Sequence, residues 1–276
     1  MRTRRVYGLA LAALLTLAAP VGQLTGAGAR MPAIDAAKVS KRIVEQKDSR
    51  SDLQTRLHAI PTMGSVKPGE KPDMNQASVA VPQNTDSPKV ADETGRAVSY
   101  VAQYTEPNDQ AHRNYCGPGA ATVVISHFDP TYPSKGDIDK LGSDMNMDPS
   151  SGVWVKDIVK PVNDRINAAV GQDLNWYKYG EAANIDEFRF MLQYDIVENG
   201  VPLITSLQTA GLPGWGGQDV GHIVAVHGYG VDSEGKEFVT YTDTAPAAAG
   251  YNGETFHTVD LQTFWNAVSG NSAQVW

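Results

Sequence analysis

A chain of 276 residues, with 41% hydrophobic and 20% charged side chains, has a globular composition and room for one sizeable core plus additional segments. Its net charge of −8 and the lack of any Lys/Arg-rich run exclude a phosphate-binding face, and with it nucleic acid as the main partner. One cysteine excludes an intramolecular disulfide and a cysteine-based zinc site.

The first segment has the layout of an export signal. Arg2, Arg4 and Arg5 form a positive start, residues 6–19 are apolar and uncharged, and Ala27-Gly28-Ala29 supplies small residues for cleavage after Ala29. The apolar run falls short of the roughly 20 residues needed to span a bilayer, and no later stretch could span one. Thr3-Arg4-Arg5 is a weak twin-arginine match, so the expected route is Sec or twin-arginine export. Removing residues 1–29 takes away three arginines and no acid, giving a mature net charge of about −11. A secreted, extracellular protein without stable membrane insertion is expected.

Residues 30–95 are expected to be an arm outside the main domain, as a pro-region or a linker. Residues 35–57 are charged, with Ile43, Val44, Leu53 and Leu57 as a thin apolar stripe for an amphipathic helix. Pro61, Pro68, Pro72, Pro82 and Pro88 then fall among polar residues that bury too little surface to offset ordering entropy. As a pro-region, this arm would occlude a substrate groove until cut.

The main domain is expected over residues 96–276. Residues 97–101 read as a short strand. Gly117, Pro118 and Gly119 then punctuate a helix start, and the buried-looking run of residues 120–125 continues it to a stop at Phe128-Asp129-Pro130. A short helix is predicted over residues 134–142. A second, over 152–169, contains Pro161, which should kink or split it. Residues 185–197 form an amphipathic helix closed by Gly200. The period then changes: residues 201–207, 222–229 and 237–243 read as strands, the last two joined by Asp232-Ser-Glu-Gly235 as an antiparallel hairpin. Residues 261–268 make a closing helix. Helices first and strands afterwards predict an α+β fold, with an N-terminal helical part packed on a C-terminal antiparallel sheet.

Cys116 sits where loop turns into helix. There the macrodipole and unpaired N–H groups favour a thiolate; otherwise it is a small buried hydrophobe, as most free cysteines are. A cysteine nucleophile needs a base within reach and an orienting partner for that base. His58, His112, His127 and His257 lie in the arm, beside the cysteine or before the last helix. His222 and His227 share a strand, and on a regular strand point to opposite faces, so only one can face Cys116 and the two cannot share a metal ion. His222, next to the glycine-rich stretch 211–217, is preferred as the base, and His227 as structural, although either alone could equally be a core residue. Antiparallel pairing puts the end of the next strand beside the start of this one, making Asp243 the candidate orienter; Asp243 could also simply cap the turn at Thr244-Ala-Pro246. Gln110, six residues before Cys116, and the Cys116 N–H are candidate oxyanion donors. Trp215 in the glycine-rich stretch is expected to border the groove.

Taken together, Gln110-x5-Cys116-Gly-Pro-Gly, Gly221-His-Ile-Val-Ala-Val and Asp243 resemble the papain-like cysteine peptidases. More narrowly they are similar to cysteine peptidase family 39, the group named for processing bacteriocin leaders, and its stand-alone secreted relatives. The resemblance covers residues 100–276. It implies a papain-like fold, with Cys116 as nucleophile, His222 as general base and acid, Asp243 as orienter and Gln110 in the oxyanion hole. Where that family commonly has Asp-Pro, this chain has Asp243-Thr-Ala-Pro246. The membrane and ATP-binding domains of the transporter-linked members are missing, as is any Walker-type loop.

The function expected is therefore a secreted thiol hydrolase, a cysteine endopeptidase acting on peptide or protein substrates without cofactor or metal. The alternatives are a cell-wall or isopeptide acyl hydrolase or transferase using the same triad, and a non-catalytic binding module of the same fold.

Overall fold

The computed structural model describes residues 31–48, 50–70 and 95–276; the expected signal segment and residues 71–94 of the arm lie outside the described residues. The domain is built on β2 (Arg96–Ser99), followed by α3 (Cys116–Ser126), α4 (Tyr132–Lys135), α5 (Ile138–Asp144) and α6 (Val155–Val170). Then come β3 (Tyr179–Glu181), α7 (Ile185–Leu192), β4 (Leu203–Gln208), β5 (Gly221–Val231), β6 (Glu237–Thr242), β7 (Phe256–Asp260), α8 (Leu261–Val268) and β8 (Ala273–Val275). Two helices of the arm precede them, α1 (Lys41–Asp48) and α2 (Ser51–Leu57), with the short strand β1 (Ser65–Val66). This is the α+β arrangement expected, helices leading and antiparallel strands following.

Among the described residues, eight strands form one sheet. Its spine runs β1-β2-β5-β4-β8-β3, and β6 joins at β5 with β7 beyond it. β5 is the hub. It pairs antiparallel with β4 from its first residue (Gln208 opposite Gly221), with β6 from Ala225 and with β2 near its end (Ala97 opposite Tyr229). Its Gly-His-Ile-Val-Ala-Val run is buried from His222 onward, as a strand with neighbours on both edges and a helix on its face must be. The register with β6 slips at His227, which occupies a bulge between Val226 and Gly228. A side chain at Gly228 would collide with Thr240, so only glycine lets the two strands close up after the bulge.

α3 is the central helix. Gly117 through Ser126 are all buried, and the helix packs against both β5 and α6. Burying Val123, Val124 and Ile125 completely contributes about 1.5–3 kcal/mol each, which holds the first turn in place from behind. Pro118 sits in that first turn, where no hydrogen bond is lost.

Several boundaries differ from those expected. The single helix predicted over 134–142 is two, α4 and α5, divided at Gly136, whose backbone is extended, and Asp137, whose carboxylate caps α5 through the Lys140 N–H. α6 is not split: it runs on through Pro161 and ends at Gly171 in the left-handed conformation. The helix from Ile185 continues beyond Leu192 as a π-helical stretch, Gln193–Glu198. Strands β3, β7 and β8 are not among the expected elements, nor is β1, which forms inside the stretch expected to be a linker because it pairs with β2.

The described part of the arm lies against the domain. Ile43 and Leu57 are buried in the main core, and β1 adds to the sheet edge beside β2 (Val66 opposite Val98). Arg50 is fully buried. Its Nη1 lies 3.6 Å from Asp195 Oδ1, its Nη2 donates to the Trp276 carbonyl, and its guanidinium stacks on Trp276 (4.5 Å) and Trp176 (5.4 Å).

Candidate active site

Three elements deliver the site. α3 brings Cys116 at its first residue, β5 brings His222 one residue inside its start, and the end of β6 brings Asp243. Because Ala225 faces Thr242 across the β5–β6 pair, the residue after β6 lies beside the beginning of β5. The Asp243 N–H is itself held by the Thr255 carbonyl at 2.8 Å, which fixes where its side chain starts.

The imidazole of His222 meets Asp243 directly. Its Nε2 lies 2.9 Å from Asp243 Oδ1, and the Cys116 thiol on the same cleft is near enough to favour the charged ring. With Nε2–H donated to the carboxylate, Nδ1 is the nitrogen left for sulfur. Cys116 is half-buried, while His222 and Asp243 are shielded from water. Burial alone would push the imidazole down, but the Asp243 charge and hydrogen bond, together with the nearby Cys116 thiol, outweigh it and hold His222 well above 6.5. Burial likewise works against ionising Asp243. The His222 charge and hydrogen bonds from His222, the Ala245 N–H and Trp215 nevertheless keep it below 3.8.

Trp215 is the support the sequence did not announce. It was expected at the groove, and it does line the cleft, but its indole also donates to Asp243 Oδ2 at 2.9 Å. Its ring meets His222 edge-on, with centroids 4.9 Å apart. Oδ1 of Asp243 accepts a further bond from the Ala245 N–H at 3.0 Å, so both carboxylate oxygens are engaged. The glycine-rich stretch makes this placement possible: Gly214 has φ +83°, and a side chain there would collide with the Tyr251 ring.

The cleft above this pair measures about 790 Å³, within the range of ligand sites. Trp154, Tyr179 and Val220 form exposed apolar parts of its lining. Gln110 reaches the same cleft on its exposed side, where its Nε2 donates to the Ala248 carbonyl and its Oε1 accepts from Arg113, both at 3.4 Å. Glu106, which the sequence did not single out, also lines it. That side chain is buried beside the first turn of α3, with its Oε1 accepting from Thr244 Oγ1 at 2.6 Å. Of the arm, none of the described residues lines this cleft.

Three other histidines lie away from this pair. His227 is buried in the β5 bulge against Phe256, and burial pushes it down to about 3. His127 bonds the Tyr100 carbonyl and His112 lies between Asp109 and Asp139. Among the described residues, no three His, Cys, Asp or Glu side chains are grouped to hold a metal ion, and no helix is long and apolar enough to cross a membrane.

Comparison with known proteins places the chain. Among curated proteins none matches it. Solved structures similar to it include the bromelain protease from Ananas comosus bound to an inhibitor (14% identity, covering 62% of this chain and 93% of that one, TM-score 0.38). Others are the recombinant stem bromelain precursor (14%, 81% and 78%, 0.40) and the proform of Amb a 11, a ragweed pollen cysteine protease (14%, 62% and 61%, 0.39). The model of the Peptidase_C39 like family matches residues 96–273, from β2 to β8. That span carries the cysteine helix, the histidine strand and the sheet apart from β1 and the last two residues of β8, and the chain belongs to the Peptidase_C39 like family as a cysteine peptidase.

Proposed function

We propose that the protein is a secreted endopeptidase that cleaves peptide bonds through Cys116, His222 and Asp243. The observation that carries this reading is the imidazole of His222, bonded to a buried carboxylate and sharing the cleft with the Cys116 thiol at a helix start. A proton passed from sulfur to His222 leaves a thiolate beside an imidazolium that Asp243 stabilises. The thiolate attacks the substrate carbonyl, the carbonyl π pair moves to oxygen, and the Cys116 N–H at the helix start stabilises the oxyanion. When the intermediate collapses, the C–N bond breaks and the imidazolium protonates the leaving amine. The resulting thioester is then hydrolysed by water that gives its proton to His222.

Asp243 holds the ring with Nε2 protonated and Nδ1 toward sulfur. The apolar lining from Trp154, Tyr179 and Val220 favours peptides with apolar side chains near the scissile bond. Secretion rests on the apolar, arginine-flanked start and the small residues before Arg30.

The test is alkylation of Cys116 by iodoacetamide from pH 4 to 9 in the wild type and His222→Ala. Fast labelling well below the free-thiol pKa of about 8.5, slowed in the variant, supports the pair; labelling that simply tracks an ordinary thiol in both proteins refutes it. Cys116→Ala should abolish peptide turnover while leaving the fold intact by circular dichroism.

A further inference from the structure

Glu106 is a carboxyl group in an unexpected place. It is 3% exposed, yet it borders the cleft that holds Cys116 and His222. Its segment is tied to the site by two bonds to one residue: its N–H donates to the Thr244 carbonyl at 2.9 Å, and the Thr244 hydroxyl donates to its Oε1 at 2.6 Å. Thr244 directly follows Asp243, so Glu106 is positioned by the same turn that positions the orienting carboxylate. On the other side it lies against Gly119 in the first turn of α3, where any side chain would collide with Glu106 Oε1 and Thr244 Oγ1.

The ionisable groups facing it are His222 on β5, Asp243 at the end of β6 and Tyr104 on its own segment, with Cys116 of α3 on the same cleft. In the thiolate–imidazolium pair proposed above, the thiolate and the Asp243 carboxylate already balance one imidazolium twice over. A third negative charge here, out of water, has no cation of its own. Burial first, and then Asp243, push the Glu106 carboxyl up to about 8 against the opposing pull of Thr244 and His222. With Oε1 engaged as an acceptor, the proton of the neutral acid resides on Oε2, and the group becomes a hydrogen-bond donor. Gln110 is differently placed, at the exposed side of the cleft with its amide directed to Ala248.

We propose that Glu106, as a neutral carboxylic acid, supplies the side-chain donor of the oxyanion hole. The inference rests on the Cys116–His222 reading above. In the acylation step the C–S bond forms, the carbonyl π pair moves to oxygen, and Glu106 Oε2–H donates to that oxygen beside the Cys116 N–H, with no net proton transfer. On collapse the electron pair returns to carbon and the leaving group departs. Ionised Glu106 has no proton to donate and repels the oxyanion, so acylation turns off as pH rises through its titration.

Two reactions of the same thiol test this. Iodoacetamide alkylates by displacement at a saturated carbon and forms no oxyanion, whereas p-nitrophenyl acetate acylates through one. In the wild type, acylation should fall above about pH 8 while alkylation persists. Glu106→Gln, which donates at every pH, should move the alkaline midpoint of acylation up by about one unit or more. Glu106→Ala should lower acylation about 10²–10³-fold relative to alkylation. Coincident alkaline midpoints in the wild type and Glu106→Gln overturn the proposal, as do equal losses of both reactions in Glu106→Ala. Slow alkylation of the wild type at pH 6 removes the nucleophile reading itself, and the proposal with it.

Discussion

Asp243 is held by three donors, from His222, Ala245 and Trp215, and each makes its removal costly in a different way. Asp243→Ala takes away the main influence keeping the imidazole charged, so the His222 titration should move down, observable by NMR of the ring protons. Asp243→Asn retains an acceptor for Nε2–H and should lose less turnover than the alanine variant. Trp215→Phe keeps the ring packed on His222 but deletes a hydrogen bond to a buried carboxylate, costing about 1.5–3 kcal/mol of stability by denaturant unfolding. At this scale the sequence was legible where chemistry follows position. A cysteine at a helix start and a histidine at a strand start could be picked out, and hairpin register pointed to Asp243. Glu106 could not, because its burial is produced by Thr244 and Gly119, neither of which its local sequence reveals.

Among the elements, α3 and β5 are the pair whose packing sets the distance from sulfur to imidazole. Gly119 is where that packing is tightest. Gly119→Ala should push Glu106 and Thr244 apart from the helix, lowering stability by about 1–3 kcal/mol in a thermal melt and reducing acylation along with it. Elements with a strong period were readable in advance: β4, β5, β6 and α8 carry long apolar runs or an amphipathic stripe. β3 and β8 are only three residues each, too short to show alternation, and they exist because they pair with each other at the sheet's end. β7 reads Phe-His-Thr-Val-Asp, and its His257 and Thr258 are buried beside β6 rather than by any pattern of their own.

Considered whole, the protein extends beyond the matched domain. The arm carries Arg50 into a cage of Trp176, Trp276 and Asp195. Among the described residues of the arm, Ile43, Arg50 and Leu57 are buried against the domain and act as a structural clamp. A chain begun at Gly95 loses Arg50 together with the buried Ile43 and Leu57, which should appear as a lower melting temperature. The sign of the pH effect follows from burial, which pushes Asp195 up to about 7 against the pull of Arg50. Between about pH 4 and 7 the folded protein then holds a proton that the unfolded chain has released, so this group's contribution to stability falls as pH rises. Asp195→Asn should flatten the dependence of unfolding free energy on pH across that window. The thin stripe of Ile43, Val44, Leu53 and Leu57 hinted at a helix, but a buried arginine runs against every compositional expectation, and its aromatic partners lie far along the chain.

That the thiol and its imidazole come from elements distant in sequence makes reactivity a clock for folding. A chain still being made, or threaded through a pore, has a cysteine but no base. Rapid alkylation at pH 6 should therefore emerge during refolding with the slowest tertiary phase, when β5 closes against α3. A hydrolase assembled this way is harmless to whatever handles it unfolded.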